Sequence, residues 1–573
     1  MKATARFLFL WVFMVALSSA VTSCNKDEEL TAGERPEIEF DHADGIYRVN
    51  VGEELTLAPD VKHGEEAKYL WTLDDGTVVC RERVWASRWD KAGEYYAMLT
   101  VRNAAGTDRE EVRIDVIAPL PPAISLALPP QGLTILKDTD YRFDPLFGNV
   151  ADGETLTVDW FVNGVKAGDG ETFTFRSDRT GVYDIKVKAT NSAGSSEKEI
   201  SVTVVDELPV TLRFVPLSYY YKEDERYTTV GRPVAVIACG ENVPDGEYEW
   251  TVDGLSAANH GPIFIFTPHA AGCHSVTVSA RGVTVSMTVN VVQAAARRGG
   301  SGDGAAVMEY CPAPGQFIGE SSSVGGMTDD ITTSQAAVDW ASARFEARKF
   351  VSLGAWGGYL TARFDRSVEK KASGYDFAVM SNAITSSNEP GIVWVMQDVN
   401  GNGLPDDEWY ELRGSDFSGT GVSHAYAATY YRPAGDCMPV QWTDATGGCG
   451  TIDYLGATHK QPCYYPKWID QEAYTLYGAC LPPRNSLDAV TGMWSNNPFE
   501  WGYADNLGSD LIDGDTYGGS GVWTGFRIAN AVTPDGSPVS LDFIDFVKIQ
   551  TGVMTKSGRL GELSTEVCGI RIM

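Results

Sequence analysis

The sequence predicts an all-β chain, with three tandem β-sandwiches followed by a larger jelly-roll-like β-sandwich. Three observations lead there. Trp71, Trp160 and Trp250 are spaced 89 and 90 residues apart, and a fixed period of that kind marks repeated domains. Around each Trp, short alternating strands run between Asp-Gly and Asn-Gly turns, the pattern of antiparallel hairpins. The last 265 or so residues alternate short strands with Gly-rich turns and show little helical periodicity. The length of 573 residues suits several domains of about 100–200 residues each. A composition of 43% hydrophobic and 21% charged residues is that of a globular chain. The formal net charge of −31 excludes general nucleic-acid binding, which needs cations to displace phosphate counterions. It also disfavours docking on anionic headgroups.

Residues 1–23 read as a targeting segment. Lys2 and Arg6 form its basic start, and Phe7 to Leu17 is an apolar run. That run is shorter than the about twenty residues a membrane-spanning helix needs. It leads to Val21-Thr22-Ser23-Cys24, which resembles a bacterial lipobox. The resemblance implies that Cys24 becomes the lipidated first residue of the mature chain, with 24–34 as a tether. The next residues, Asn25-Lys26-Asp27-Glu28-Glu29, resemble the export signal of surface lipoproteins in the Bacteroidetes. That resemblance implies a lipid-anchored outer-membrane protein exposed at the cell surface. Ordinary secretion with cleavage near Ala20 and a plain solvated tether are the alternatives at these two points.

The repeats span 35–118, 119–207 and 208–292. Each has a Trp strand running into an Asp-Gly or Asn-Gly turn: Trp71 to Gly76, Trp160 to Gly164 and Trp250 to Gly254. Each then has a second Gly, at 93, 181 and 272, which lies 22, 21 and 22 residues after its Trp. The Trp suits the core between two sheets, because its large area fills the gap between layers. At these residues the repeats resemble PKD or immunoglobulin-like domains of bacterial surface proteins, which implies a spacer role. The first copy matches best; the third departs, with Cys273-His274 after its Gly. Beyond Cys24, nine cysteines remain. Cys239 and Cys273 are positioned to pair, and Cys437, Cys449, Cys463 and Cys480 cluster, but the sequence leaves their pairing open. Residues 293–306, rich in Gly and Ser, read as a flexible linker.

Residues 307–573 form the last domain and hold nine of the fifteen Trp. The predicted strands are 357–364, 375–380, 391–397, 408–413 and 546–550. Its strongest chemical motif is Asp398-Val399-Asn400-Gly401-Asn402-Gly403-Leu404-Pro405-Asp406-Asp407-Glu408. Asp398, Asn400, Asn402 and Asp406 stand at positions 1, 3, 5 and 9 of a loop with Gly at 6, as in the first part of a Ca²⁺ loop. Leu404 and Glu408 complete the candidate metal set. Trp409 stands where an EF-hand has its closing Glu, and the flanks are strands, so the expectation is a Ca²⁺ loop on a β-hairpin. A plain Asn-Gly hairpin is the alternative. A second acidic stretch, Asp505-Asn506, Asp510, Asp513 and Asp515, is irregularly spaced and Gly-rich and reads as a solvated loop, with Ca²⁺ binding as the alternative.

Aromatic residues in predicted loops are the candidate ligand site: Tyr464, Tyr465, Trp468, Trp494 and Trp523, with Asn496 and Asn497. Exposed rings stack on sugar faces or other flat ligands, and amides bond hydroxyls. Their alternative is packing onto the sandwich. No Gly-x-Ser-x-Gly or HExxH occurs, and only His424 and His459 lie in this domain. No catalytic residue is assigned.

Several segments resemble a domain of Bacteroidetes cell-surface proteins. They include Gly357-Gly358-Tyr359, Gly374-Tyr375-Asp376-Phe377, Glu389-Pro390-Gly391-Ile392-Val393, Asp398 to Leu412 and Trp501 to Asn506. Ile544 to Lys548 and Gly561-Glu562-Leu563-Ser564-Thr565-Glu566 complete them. The resemblance implies a ligand-contacting surface lipoprotein that works beside an uptake system, with a TonB-dependent outer-membrane transporter as partner. The expected ligand is an extracellular glycan or a small nutrient such as a corrinoid. An adhesin with a protein partner and a glycan-active hydrolase with paired carboxylates are the other two readings.

Overall fold

In the computed structural model the described residues are 34–42, 45–130, 132–321, 325–489, 491–512 and 521–573. The leader, Cys24 and the acidic run after it lie outside them, as do Asp513 and Asp515. No helix among the described residues is long and apolar enough to cross a membrane. The chain separates into two units. One holds residues up to Asp41 with Thr56–Trp85 and Ala97–Glu111; the other holds His42–Leu55, Ala86–Tyr96 and Val112–Met573.

The first unit is built around Trp71. Its strand, Lys68–Leu73, pairs antiparallel with Val78–Cys80 and with residues 97–102. Alternation turns Leu99 and Val101 inward, and both are buried. The Trp71 ring packs on Phe40 and Trp85, with centroids 6.0 and 5.5 Å away. Its N–H donates to the Glu82 carbonyl at 3.2 Å.

In the second unit the second repeat has a five-stranded sheet. Its order is Leu133–Leu136, Gly194–Val205, Gly181–Asn191, Thr157–Val162 and Val165–Asp169. Only the first pair runs parallel. The third repeat repeats that arrangement with Glu225–Thr228 parallel to Val283–Val291. Its opposing sheet holds Thr211–Phe214, Val234–Glu241 and Ile263–Phe266. Trp160 stacks on Phe173, centroids 5.2 Å apart, and Trp250 on Phe264 at 5.1 Å. Their N–H groups donate to the carbonyls of Gly170 and Gly261, each at 2.9 Å. A buried indole needs such an acceptor, and all three repeats supply it ten or eleven residues downstream. The hairpin turns also match the expectation. Asn163-Gly164 and Asp253-Gly254 have φ of 49° and 79°, and of 50° and 79°, which is the left-handed pair a tight two-residue hairpin requires.

The last domain is a sandwich, as expected, with two additions. Its main sheet runs Ala305–Cys311, Tyr359–Glu369, Phe543–Thr551, Gly391–Met396, Trp409–Leu412 and Ala531–Val532, all antiparallel. A smaller sheet of Val522–Phe526, Phe377–Ser381 and Gly569–Ile572 shares one core with it, including Phe364, Phe377, Val547 and Ile570. A separate four-stranded sheet runs Cys449–Ile452, Val440–Asp444, Ser423–Tyr431 and Ala473–Cys480. A helix, Ser334–Glu346, is capped by Thr333, whose side chain accepts from the Ala336 N–H.

Two expectations about the connections are corrected. Residues 293–306 are not a free linker. The Ala295 N–H donates to the Val399 carbonyl, and the Arg298 N–H donates to the Ser367 hydroxyl at 2.8 Å. Its guanidinium reaches the Phe364 carbonyl at 2.9 Å and the buried Asp545 at 3.4 Å. Gly302 serves close approach: a Cβ there would lie 2.9 Å from that of Asp365. The third repeat is not a mere spacer either. Its Val215, Leu217, Tyr221 and Ile237 share a core with Ile392, Trp394 and Phe546 of the last domain. Nor are Cys239 and Cys273 joined; all nine cysteines among the described residues are free. Cys239 lies on one sheet of the third repeat and packs against that shared core, whereas Cys273 is exposed on the other.

Candidate functional site

The shared core places the third repeat and the last domain around a cavity of about 960 Å³. The segment Pro216–Tyr221 forms one wall, the helix residues Gln335 and Val338 another, and Trp468 to Tyr477 a third. Tyr219 is 84% exposed on its rim and stands edge-on to Tyr220, with centroids 5.4 Å apart. Trp468 lines the cavity and packs on Tyr310 at 5.8 Å. Such a concave, aromatic-lined space with a few polar groups is the usual form of a small-ligand site.

The floor is charged and buried. Glu309 accepts from the Tyr219 N–H at 2.6 Å, the Tyr359 hydroxyl at 2.5 Å and the Thr361 hydroxyl at 2.8 Å. Burial nonetheless raises its carboxyl above the ordinary range. Lys548 lies beneath, with no exposure, and donates to the Leu217 carbonyl at 2.9 Å. Its ammonium faces the rings of Trp394 and Tyr359 at 4.8 and 5.4 Å. Burial pulls this lysine down to about 7, against the opposing pull of Glu309 and Glu411. These bonds fix the Tyr219 backbone, so the rim ring is presented from a rigid base.

Most of the rings singled out from sequence lie elsewhere. Tyr464 and Tyr465 are buried, and their hydroxyls donate to the His459 and Gln471 carbonyls at 3.0 and 2.7 Å. Trp523 is buried under the Arg571 guanidinium, 4.1 Å from its ring centroid. Trp494 is half-buried on a two-stranded hairpin. Asn496 is buried and accepts from Ser557 at 2.8 Å, while Asn497 is exposed and donates to the Arg484 carbonyl at 2.9 Å. The exposed stacking platform is therefore corrected: only Trp468 of the set lines the large cavity. Satisfied hydroxyls let Tyr464 and Tyr465 enter the core at little cost. Sequence missed Tyr219 and Tyr220, although the run Tyr219-Tyr220-Tyr221 after a Pro was a visible signal.

The loop at 398–408 has its oxygens turned inward. Asp398 Oδ2 accepts from the Gly403 N–H at 2.9 Å, Asn400 Oδ1 from Asn402 at 2.9 Å, and Asn402 Oδ1 from Leu404 at 2.8 Å. Gly401 and Gly403 have φ of 73° and 77°, which L side chains rarely adopt. Asp406 accepts from both Asn side chains. Leu404 can offer only its carbonyl. Glu408 is a correction: it faces the third repeat, accepting from Tyr221 at 2.6 Å and the Ala235 N–H at 2.7 Å. Asp407, passed over in the sequence template, faces the loop instead and accepts from Val399 and Asn400 N–H groups at 2.5 and 3.3 Å. Asp398 Oδ1 and Asp407 Oδ1 are both buried without a hydrogen-bond partner. Burial raises the Asp398 carboxyl and pushes that of Asp407 up to about 8.

A second acidic centre joins three of the segments that carry the cell-surface-domain resemblance. One carboxylate oxygen each from Glu389, Asp505 and Glu566 lies within 4.8 Å of the others. Asp510, from the same weak acidic stretch as Asp505, is buried and accepts from the Gly502 N–H at 2.6 Å. His424 and His459 bond Glu411 and Glu320 at 3.1 and 3.2 Å.

Comparison with known proteins gives one family match, the PKD-like domain, over residues 35–103. The search of curated proteins finds no match. Among solved structures, the Clostridium thermocellum CbhA fibronectin(III)-like modules are 15% identical over 29% of this chain and 93% of that one, with a TM-score of 0.18. The three N-terminal domains of the bacteriophage RB49 highly immunogenic outer capsid protein are 14% identical over 45% and 100%, with a TM-score of 0.18. Titin domains I67–I69 are 15% identical over 46% and 99%, with a TM-score of 0.14. The family match falls on the first repeat, and the second and third carry the same Trp strand, an Asn-Gly or Asp-Gly turn after it and the same later Gly. The chain therefore bears tandem PKD/immunoglobulin-like repeats.

Proposed function

We propose that the chain is a binding protein whose ligand sits in the cavity between Tyr219, Tyr220 and Trp468. The observation that carries this reading is the 960 Å³ space walled by rings and floored by fixed polar groups. Its chemistry suits a ligand with flat apolar faces and hydroxyl or amide edges, such as a glycan or a corrinoid. The leader and Cys24 support a lipid-anchored protein at the outer-membrane surface. There it would capture ligand for a TonB-dependent transporter, with the first two repeats as the presenting platform. The expected behaviour is binding without turnover.

The test is titration of the full chain with a panel of glycans and cobalamin. Tyr219→Ala removes an exposed ring and should weaken the bound member about tenfold, the worth of one aromatic contact. Val338→Trp fills the cavity and should abolish binding. A panel without a binder, or one whose binder ignores both substitutions, overturns the reading.

Ca²⁺ in the 398–408 loop belongs to the same proposal. Asp398, Asn400, Asn402, Asp406 and Asp407 would supply side-chain oxygens and Leu404 its carbonyl. The two unpartnered buried oxygens support it. At a hundredfold excess over Kd, Ca²⁺ stabilises by about 2.7 kcal/mol. The double variant Asp398→Asn, Asp407→Asn should lose that part of the Ca²⁺-dependent rise in Tm. Identical Ca²⁺ responses in the wild type and the double variant would sink it.

A further inference from the structure

The centre formed by Glu389, Asp505 and Glu566 draws chain from three places. Glu389 precedes the strand Gly391–Met396, Asp505 lies in the loop after Trp501, and Glu566 opens the short strand Glu566–Val567. The backbone locks them together. Gly391 and Ala504 exchange two N–H···O bonds of 2.9 Å, and the Glu389 N–H donates to the Asp505 carbonyl at 2.9 Å. The Thr565 hydroxyl donates to the Glu389 carbonyl at 2.8 Å, and the Glu566 N–H donates to Asp505 Oδ2 at 2.8 Å. Asp505 holds φ of 53°, a conformation that has to be imposed by its surroundings.

Three carboxylates this close cannot all be ionised out of water without compensation. Asp505 and Glu566 are almost wholly buried, and Glu389 is half-buried. The leading charges acting on Glu389 are carboxylates: Glu566, Asp505 and Glu562. A shared proton joins one pair of carboxyls and leaves the third outside it. The hydrogen bonding has that gap. Asp505 Oδ1 is buried with no partner, and the Ser381 hydroxyl, with no exposure of its own, turns to the same carboxylate without closing a full hydrogen bond on it. An acceptor and a hydroxyl oxygen left open on one site are the donors that a cation completes.

We infer that Glu389, Asp505 and Glu566, with the Ser381 hydroxyl, form a second site for a divalent cation, and that the cation is Ca²⁺. The spacing fits, because oxygens bound to one Ca²⁺ at about 2.3–2.6 Å lie no more than about 5 Å apart. The donors are all hard oxygens, which excludes a preference for zinc or copper. Burial leaves little room for the waters that Mg²⁺ retains, whereas Ca²⁺ accepts irregular and bidentate carboxylates. The half-buried Glu389 gives the ion its way in from solvent. The ion would cross-link three segments between 389 and 566, so the last domain would depend on Ca²⁺ for its stability.

Ca²⁺ alone is the probe, in equilibrium dialysis and thermal unfolding of the full chain at about 1 mM, within the range of extracellular sites. The background is the loop-silent chain, Asp398→Asn with Asp407→Asn. That chain should bind one Ca²⁺ and show a higher Tm in Ca²⁺ than in chelator. Adding Asp505→Asn should remove both the ion and the Tm difference. Glu389→Gln, at a half-buried position, should weaken binding at least tenfold and serves if Asp505→Asn fails to fold. A loop-silent chain that binds no Ca²⁺, or one that keeps it after Asp505→Asn and Glu389→Gln, overturns the inference. A wild-type chain that binds one ion, kept in the loop-silent chain and lost with Asp505→Asn, supports this site while removing the one at 398–408.

Discussion

Between about pH 7 and pH 10 the wild type is expected to gain roughly 3–5 kcal/mol of stability relative to Lys548→Met. Burial lowers the Lys548 ammonium from 10.5 to about 7 in the folded chain, with Glu309 and Glu411 opposing it. Between those values the unfolded chain binds a proton on this lysine and the folded chain does not. The contribution of Lys548 to stability therefore rises with pH through that window, falls as pH drops towards 7, and is flat below it. Burial pushes the carboxyls of Asp407 and Glu562 up to about 8, and they pull the other way at the bottom of the window, so the difference between wild type and variant is the diagnostic quantity. The tyrosines beside the lysine do not obscure it, because burial raises Tyr359 and Tyr410 well above their ordinary values. Met keeps the stem volume and removes the charge. It leaves the Leu217 carbonyl without its 2.9 Å donor, a loss of about 1 kcal/mol. At neutral pH the two effects offset in part, as for other buried charges replaced by apolar residues. Urea unfolding followed by tryptophan emission reads this domain, which holds nine of the fifteen Trp. Parallel pH profiles for the wild type and the Met variant would show that Lys548 is not the titrating group.

Lys548 also shows where sequence reading stops. Its bond to Leu217 spans 331 residues, and that of Glu408 to Tyr221 spans 187. No local pattern encodes either, so the third repeat read as a spacer although it shares a core with the last domain. The three repeats themselves were legible, because a buried Trp, an Asn-Gly or Asp-Gly turn and a later Gly are set by neighbours within about 25 positions. The helix Ser334–Glu346 was not, because its buried face is Ala337, Ala341 and Arg344. Small residues and one Arg leave almost no apolar periodicity to detect.

The candidate sites were legible in pieces. Glu389, Asp505 and Glu566 each sat in a segment singled out by resemblance, but their convergence is a property of the sheet topology. In the 398–408 loop the first positions followed from spacing, whereas the choice of Asp407 over Glu408 depended on what Tyr221 and Ala235 draw away. The aromatic set failed for a related reason. Tyr464-Tyr465-Pro466-Lys467-Trp468 has the composition of an exposed loop, yet main-chain carbonyls satisfy both tyrosine hydroxyls inside the core.

The second expected result tests the device that organises the repeats. Trp160→Ala should cost about 3–5 kcal/mol, the range for a fully buried aromatic cut to a methyl. Trp160 has no exposure and lies against Phe143 and Phe173, with centroids 5.6 and 5.2 Å away. Truncation opens a cavity between two sheets whose strands are hydrogen-bonded in register, so the layers cannot simply close over it. It also removes the N–H that satisfies the Gly170 carbonyl at 2.9 Å. The two parts separate in Trp160→Phe, which keeps most of the volume and loses the donor; it should cost less than Trp160→Ala by at least about 1 kcal/mol. Val165→Ala, on the neighbouring strand at 70% exposure, should stay within about 0.5 kcal/mol. Urea unfolding of the full chain, with protease cleavage inside 119–207 as the local reporter, measures all three. If Trp160→Ala costs no more than Val165→Ala, the Trp is not what holds the two sheets together. Trp71 and Trp250 are buried as completely and bond carbonyls eleven residues away, so the same substitution there should carry a cost of the same size.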